Sequence, residues 1–439
     1  MPKLPIEVTG STIKIDCLVP GGQGIGVAPD GKKGFFWNAL PGEIVTRYKI
    51  TKNKSHYFEA IAEEISEPST HRITPKDSCF LSTSPWQIMD YNYELEQKAL
   101  LLEEIFRQNG LPLDRPQTPV AIEPTCMTDG KDFYYRNKME YSLYWNNEKE
   151  KIELAQHERG SHKKVPLETS SIERPEIFAA AQKIVVELNA KHEEARKYQS
   201  ILLRCNQAGK VEGGLYENKK PHPVFNNLTD TLLGQEYSYS PNGFFQINLP
   251  VYEMALKEIK KHITTDNVLD LYSGVGTIGL SVAYNKNLTL VECNKFAYKE
   301  LVRNCKEVNL QSSSSEHLAT TGAFLRSEPR NDGSEQASER EEALQVHPIL
   351  SNSEDALEYI APDQTVILDP PRAGCDKKLI EKLLEVTPTT IIYLSCNPVT
   401  QARDVKLLLE KYKIEKVVPF NFFPRTPHLE NLIILKKLS

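Results

Sequence analysis

The sequence lacks a basic excess: 53 lysines and arginines stand against 59 aspartates and glutamates, for a net charge of −6. Phosphate contacts need basic surface, so composition alone does not announce a nucleic-acid binder. Part of the deficit is local, because residues 316–342 hold seven acids and three bases. The remainder is nearly neutral and leaves room for a basic face. Long apolar runs are missing too. None approaches the roughly 18 residues that would span a bilayer, so no membrane partner is expected. The stretch MPKLPIEVTG shows no basic region followed by an apolar core, and no signal peptide is expected. Nor is there a Cys-x-x-Cys pair. The eight cysteines (17, 79, 126, 205, 293, 305, 375 and 396) are scattered, the pattern of reduced thiols in a cytoplasmic protein and not of a disulfide framework. What is present, 40% hydrophobic and 26% charged residues in a chain of 439, describes a soluble globular protein of two or three domains.

Residues 1–66 are rich in β-branched residues and broken by glycine and proline. Candidate strands at 11–18, 24–27, 34–37, 43–51 and 57–65 suggest a small β-barrel. Residues 67–240 read as a central α+β domain. It has helical periodicity at 97–108, short strands at 133–135 and 139–144, and one long polar helix near 175–197. From 241 to 439 apolar runs alternate with helical patterns. The runs lie at 268–272, 288–292, 364–369, 390–395, 414–420 and 429–435, an alternation that predicts an α/β domain with a doubly wound, mostly parallel sheet. Residues 311–343 are polar and acidic and read as a disordered insertion in it.

Gly274, Gly276 and Gly279 follow the first of these runs and satisfy G-x-G-x-x-G. Glycines there let the backbone turn tightly and approach a ligand at the carboxyl edge of a sheet, a geometry several cofactors use. Glu292 ends the next strand, where a carboxylate can accept hydrogen bonds from ribose hydroxyls, a group that NAD and S-adenosylmethionine share. Two features favour S-adenosylmethionine. Asp270, just before the turn, offers a charge that suits a cationic aminoacyl group. The acidic motif Asp369-Pro370-Pro371-Arg372 has no job in a dinucleotide site.

Asp369 and Cys396 both fall at the ends of predicted parallel strands, which share one crevice outside the carboxyl edge. Asp-Pro-Pro also resembles the motif of adenine amino-methyltransferases, but those follow it with an aromatic residue, and here Arg372 follows. Cys396, in Ser395-Cys396-Asn397-Pro398, supplies what carbon methylation needs. A thiolate added to carbon 6 of uracil turns the ring into an enolate that can attack an activated methyl group. A base must then take the carbon-5 proton so that the thiolate can leave. His428 and Glu430 lie just before the last apolar run, and Glu430 is preferred. Most of the other cysteines read as small buried hydrophobes. Cys375 is a rival nucleophile because RNA cytosine-5 methyltransferases place theirs in the Asp-Pro-Pro region, though directly after the proline. Cys375 is five residues past Pro370 and ranks below Cys396.

Together these motifs resemble the RNA 5-methyluridine (uracil-5-) methyltransferase family. The matching stretches are FQIN (245–248), DLYSGVGT (270–277), DPPRAG (369–374), SCNP (395–398) and FPRTPHLE (423–430). GQGIGV (22–27) and ALPGE (39–43) make residues 1–66 similar to a TRAM domain, an OB-like RNA-binding barrel. YRNK (135–138) and RGSH (159–162) match the family's middle, RNA-binding domain. The resemblance implies a class I, Rossmann-like methyltransferase domain that uses S-adenosylmethionine. Gln246, Tyr272, Glu292 and Asp369 would line the cofactor and base pocket, with Thr277 beside the methionine moiety. Cys396 would be the nucleophile and Glu430 the proton acceptor. A TRAM domain leans towards 23S ribosomal RNA as substrate, with tRNA the alternative.

The sequence also departs from the family pattern. Many TRAM-bearing members carry a four-cysteine iron–sulfur cluster around a Cys-x5-Cys-Gly-Gly-Cys run. Here only Cys79 remains, and the region of the fourth ligand reads Glu168-Thr169-Ser170-Ser171. One thiolate cannot hold such a cluster, so neither cluster nor other metal is expected. Asn421 stands where the family often has aspartate.

A uridine inside a helix hides carbons 5 and 6, so the substrate is a loop or an extruded base. Phe35, Phe36 and Trp37 beside Lys32 and Lys33 could stack on bases and meet phosphates. Alternate aromatics in a strand usually fill the core, so at least one of the three is expected inside. Arg136 and Lys138 are further phosphate candidates. Two rival classes stay open at this point: an NAD-dependent oxidoreductase, which leaves Cys396 and Asp369 unexplained, and a non-catalytic RNA-binding or folding factor.

Overall fold

The computed structural model of the chain describes residues 5–111, 126–161, 163–321 and 346–438. Period-2 alternation between glycine turns makes five strands: β1 (Ile6–Leu18), β2 (Gly24–Val27), β3 (Lys33–Trp37), β4 (Ile44–Asn53) and β5 (Tyr57–Glu67). They close into a barrel in the order β1-β2-β3-β5-β4. Phe36 is its centre, meeting Tyr48 and Phe58 edge-on at 5.3 and 5.6 Å. Gly34 is required beside it, since a Cβ there would stand 2.5 Å from both the Phe36 and Phe58 rings. The strand's alternation then turns Phe35 and Trp37 outward, half-buried.

The next segment is mixed. A short helix α1 (Phe80–Thr83) and a 3-10 turn over Pro85–Ile88 lead into α2 (Tyr91–Gln108). Asp90 caps α2 by accepting the Tyr93 N–H at 2.9 Å. A six-stranded sheet follows, in the order β11-β10-β9-β6-β7-β8. Its strands are β6 (Lys138–Asn146), β7 (Lys151–His157), β8 (Lys164–Pro166), β9 (Ser200–Cys205), β10 (Val211–Glu217) and β11 (Lys220–His222). Helix α3 (Pro175–Ala190) lies on it and buries Ile177, Ala181, Val185 and Leu188 at helical spacing. Two expectations are corrected. The helix stops at Ala190 and does not reach 197, because His192 takes a left-handed backbone (φ 55°) that ends the helical path. Residues 133–135 form a loop and not a strand, with Tyr134 at φ 57°.

The hairpin β12 (Leu228–Leu232) and β13 (Gln235–Tyr239) precedes the α/β layer. That layer contains α4 (Leu249–Lys260), β14 (Asn267–Leu271), α5 (Thr277–Ala283), β15 (Asn287–Glu292) and α6 (Lys295–Thr321). After these come β16 (Val346–Leu350), β17 (Gln364–Leu368), α7 (Lys377–Val386), β18 (Thr390–Ser395), α8 (Pro398–Leu408), β19 (Tyr412–Phe420) and β20 (Glu430–Lys437). The sheet order is β16-β15-β14-β17-β18-β20-β19, with β20 antiparallel to both neighbours and the others parallel. Helix α6 continues through residues 311–321, the start of the stretch read as a disordered insertion; residues 322–343 of it lie outside the described residues.

Strand alternation feeds two cores. Ile392 and Leu394 of β18 and Leu432 and Ile434 of β20 join α4, α5 and α6 on one face. Ile391, Tyr393, Ile433 and Leu435 join α7 and α8 on the other. Leu102, Ile105 and Phe106 of α2 also enter that second core, so α2 packs with the C-terminal sheet although it precedes the middle sheet in the chain. Each such fully buried side chain contributes about 2 kcal/mol.

Candidate active site

The parallel strands β16, β15, β14, β17 and β18 end at one edge. At the end of β14 the chain turns at once, with Tyr272 (φ 64°), Gly274 (φ 59°) and Gly276 (φ 90°) all in the left-handed region. Tyrosine rarely adopts this backbone, which marks a turn held by its surroundings. A side chain at Gly276 would collide with Leu301, its Cβ 2.6 Å from Leu301 Cδ1. Glu292, closing β15, is locked beneath this turn: Oε2 accepts the Gly274 N–H at 2.8 Å and Oε1 the Asn294 N–H at 2.6 Å. Each oxygen keeps a lone pair for a hydroxyl donor.

A cavity of about 1890 Å³ runs along this edge. Gln246, Tyr272, Thr277 and Glu292 line it, and so do Asp369, Cys396 and Glu430. All seven residues selected from the sequence therefore meet in one space. Its wall continues past Arg136 and Arg159 to Trp37 on the barrel.

Asp270 does not line this cavity. It is fully buried under the glycine loop, where Oδ2 accepts the Gly279 N–H at 2.9 Å and Oδ1 has no partner. Burial pushes its carboxyl up to about 8, against the Gly279 hydrogen bond, and the charges of Asp369 and Glu292 add to the rise. The expectation that its charge faces a cationic group is corrected: the residue holds the loop and not a ligand.

Cys396 leaves β18 directly after Ser395, which pairs with Asn431 of β20. The residue before Asn431 on β20 is Glu430, so antiparallel pairing brings candidate nucleophile and candidate base together at the edge. Burial and then the Glu430 charge raise the Cys396 thiol to about 11. Arg372 opposes both by its charge and by a hydrogen bond to the thiol. Asp369 is pushed up to about 7 by burial. Glu430 is held well above the usual carboxylate range by burial and then by Asp369, again opposed by Arg372, and its Oε2 is buried without a partner. Two carboxyls raised together beside one thiol mark this edge as the candidate site.

A family model described as tRNA (Uracil-5-)-methyltransferase matches residues 355–438, the stretch that carries Asp369, Cys396 and Glu430. Over that stretch the chain is similar to the tRNA (uracil-5-)-methyltransferase family. Uncharacterized RNA methyltransferases of Prochlorococcus marinus and Treponema denticola are 27% and 28% identical to it. The first alignment covers 91% of this chain and 100% of the relative, the second 97% and 98%. The crystal structure of Pyrococcus abyssi tRNA (uracil-54, C5)-methyltransferase in complex with S-adenosyl-L-homocysteine shares the fold. It superposes with a TM-score of 0.68 at 21% identity, over 96% of this chain and 99% of that one.

The rival thiol, Cys375, also lines the cavity. Cys375 packs in the second core, its N–H donating to Asp404 Oδ2 at 2.8 Å, and burial and Asp404 push it up to about 12. His428 lines the cavity mouth, its imidazole held down to about 4 by burial in that wall and then by Arg372, Lys98, Arg159 and Arg136. Lys138 is corrected as a phosphate contact: its ammonium donates to the Asn242 and Gly243 carbonyls at 3.1 and 3.0 Å. It thereby fixes the loop that presents Gln246. Arg136 spends only Nε, on the Lys138 carbonyl at 2.9 Å. Sequence reasoning missed two residues here. Phe296, on the first turn of α6, is 82% exposed on the cavity rim near Glu292. Its only signal was an apolar residue four positions past the strand-ending carboxylate. Arg159 was noted only within a motif, yet its guanidinium lies 4.1 Å from the centre of the Trp37 ring.

Proposed function

We propose that this protein methylates carbon 5 of a uridine in RNA through a covalent bond between Cys396 and the uracil ring. The observation that carries the reading is the opposition of Cys396 and Glu430 across β18 and β20, inside the cavity that also reaches Glu292. Glu292 would hold the cofactor ribose, with Tyr272 and Thr277 beside it and Phe296 on the adenine side. S-adenosylmethionine, when bound, supplies the electrophilic methyl group. Gln246 and Asp369 would bind and orient the base by hydrogen bonds. The Cys396 thiolate adds to carbon 6, forming a carbon–sulfur bond and leaving carbon 5 as the nucleophilic end of an enolate. After carbon 5 is methylated, Glu430 takes its proton, the ring double bond re-forms and the carbon–sulfur bond breaks, returning the thiolate. Arg372 is the cation that offsets the thiolate charge.

Three arginines support an RNA substrate. Among the described residues Arg136, Arg159 and Arg372 make no ion pair with a carboxylate, although all line the cavity. Unpaired cations along a cavity wall suit a phosphate backbone, and Trp37 under Arg159 offers a stacking face. The TRAM-like barrel favours 23S ribosomal RNA in a cytoplasmic setting. The tRNA reading draws on the family model's name and on the Pyrococcus abyssi protein's title.

The test is incubation with S-adenosylmethionine and 5-fluorouridine-substituted ribosomal RNA or tRNA, followed by mass spectrometry. Fluorine cannot leave as a proton, so the reaction stalls as an adduct. The expected result is an adduct on Cys396, with the trapped RNA naming the substrate. Cofactor binding without an adduct on either RNA would overturn the reading.

A further inference from the structure

The loop between β19 and β20 ends in Glu430, and its backbone is tied down almost residue by residue. Lys98 donates to the Phe423 carbonyl at 3.1 Å, the Tyr135 hydroxyl to the Pro424 carbonyl at 3.0 Å, and the Trp86 N–H to the Arg425 carbonyl at 3.0 Å. Arg425 itself sits at φ 64°, a left-handed backbone that persists only under such constraint. Its N–H reaches both Glu94 oxygens at 3.0 Å.

Trp86 is the one residue of this set that also grips the barrel. Its indole N–H donates to the Gly22 carbonyl at 2.9 Å, and its side chain is 1% exposed. Gly22, at φ 93° in the turn between β1 and β2, lies directly on the loop. A Cβ there would stand 2.3 Å from Pro427 Cβ and 3.1 Å from the Trp86 indole nitrogen. The barrel turn, Trp86 and Pro427 therefore form a stack with no room for one more carbon, three residues before Glu430.

Trp86 is held from behind as well. Its neighbour Gln87 is fully buried and uses both ends of its amide. The oxygen accepts the Lys76 and Asp77 N–H groups at 2.9 and 3.1 Å, and the nitrogen donates to Asp77 Oδ2 and Ser84 Oγ at 2.8 and 2.6 Å. Asp77 Oδ2 also accepts the Ser171 N–H and hydroxyl at 3.1 and 2.7 Å, stitching the turn to the middle domain. A satisfied buried network of this kind makes a rigid mount.

We propose that Trp86 is a positioning residue for proton removal: by clamping the Gly22 turn of the barrel onto the 421–429 loop, it sets where Glu430 stands relative to carbon 5. The proposal rests on Glu430 being the base. A loop displaced by a fraction of an ångström would leave Cys396, on a different strand, free to attack and the ring free to be methylated. Only the final step, loss of the carbon-5 proton with release of Cys396, would suffer.

The experiment is single-turnover methylation of natural uridine RNA by the full chain, resolved on denaturing gels, with Glu430→Gln as the benchmark. Glu430→Gln is expected to trap methylated RNA covalently on Cys396. Trp86→Phe, which keeps the ring and loses the indole donor, and Gly22→Ala, which forces the barrel turn off Pro427, are expected to release methylated RNA about tenfold to a hundredfold more slowly. Both should accumulate the same covalent complex, with S-adenosylhomocysteine affinity unchanged. A merely structural role would lower all steps together and trap nothing. Wild-type release rates in both variants, or slowed turnover with no complex while Glu430→Gln still traps it, would overturn the proposal. If Glu430→Gln itself traps nothing, the base assignment falls and the proposal with it, a result separate from the other two.

Discussion

Asn397 joins the Cys396 loop to the Asp-Pro-Pro-Arg loop: its side-chain amide donates to the Arg372 carbonyl at 2.8 Å, while its oxygen caps α8 by accepting the Val399 N–H at 3.3 Å. Thr400 adds a second donor to the same carbonyl at 3.1 Å. Arg372 is thus held beside Cys396 by the residue next to Cys396, and the two motifs, far apart in the chain, become one edge.

Replacing Asn397 by Ala removes both bonds at once. Loss of the cap is expected to cost about 1 kcal/mol of stability, measured by denaturant unfolding. The methylation rate is expected to fall further than that loss of stability explains, because Arg372 is released. Asn397→Asp keeps the cap acceptor but loses the donor to Arg372, and is expected to restore stability without restoring rate.

Arg372→Ala removes the one cation that lowers both the Cys396 thiol and the Glu430 carboxyl. Both groups act as anions and both stand above their ordinary values. In the wild type kcat/KM therefore rises with pH through the neutral and alkaline range. Without Arg372 the rise is expected to move to higher pH, with a loss of about tenfold or more at neutral pH. Iodoacetamide alkylation of Cys396 against pH is an independent readout and should shift the same way.

Cys396→Ala is expected to abolish both methyl transfer and the 5-fluorouridine adduct while leaving S-adenosylhomocysteine binding intact. Cys375→Ala should keep the adduct and lose about 1 kcal/mol or somewhat more of stability, since it only empties a methyl-sized space in the second core. An adduct that disappears with Cys375 and survives loss of Cys396 would reverse the assignment.

Asp270 links stability to pH. Its folded carboxyl is raised to about 8, above the unfolded value, so its contribution is fully present in acid and is lost as pH rises through about 8. Thermal unfolding of the cofactor-free protein is expected to weaken across that window. Asp270→Asn, which still offers an oxygen to the Gly279 N–H, should flatten the profile and be more stable than wild type at alkaline pH by on the order of a few kcal/mol.

Glu94 and Lys98 form an ion pair at 2.9 Å with both side chains fully buried. Lys98 also donates to Asn421 Oδ1 at 2.6 Å, and Asn421 donates back to Glu94 Oε1 at 3.2 Å. A neutral acceptor at 421 suits this pair, where a second carboxylate would crowd the same space. Glu94→Gln leaves Lys98 buried without its counter-charge and is expected to cost about 3–5 kcal/mol in denaturant unfolding.

Much of this was legible in the chain itself. The continuous apolar runs of the C-terminal half specify strands buried on both faces, because alternate residues must feed two cores. The glycine loop, Asp369 and Cys396 were placed at strand ends by local pattern alone, and the parallel rule puts such ends on one edge. Chemistry then selected Cys396 over the other thiols, since carbon methylation needs a nucleophile at that edge. What local pattern could not carry was direction and contact. Asp270 sits at the right position yet points into the protein, because pleating decides which face a residue takes. Lys138 has the right charge yet spends it on two carbonyls of a segment about a hundred residues away. The packing of α2 against the C-terminal sheet, the pairing of Arg159 with Trp37 and the seating of Gly22 on Pro427 all join residues distant in sequence. Such contacts leave no local period or composition to read, so only the tertiary structure decides them.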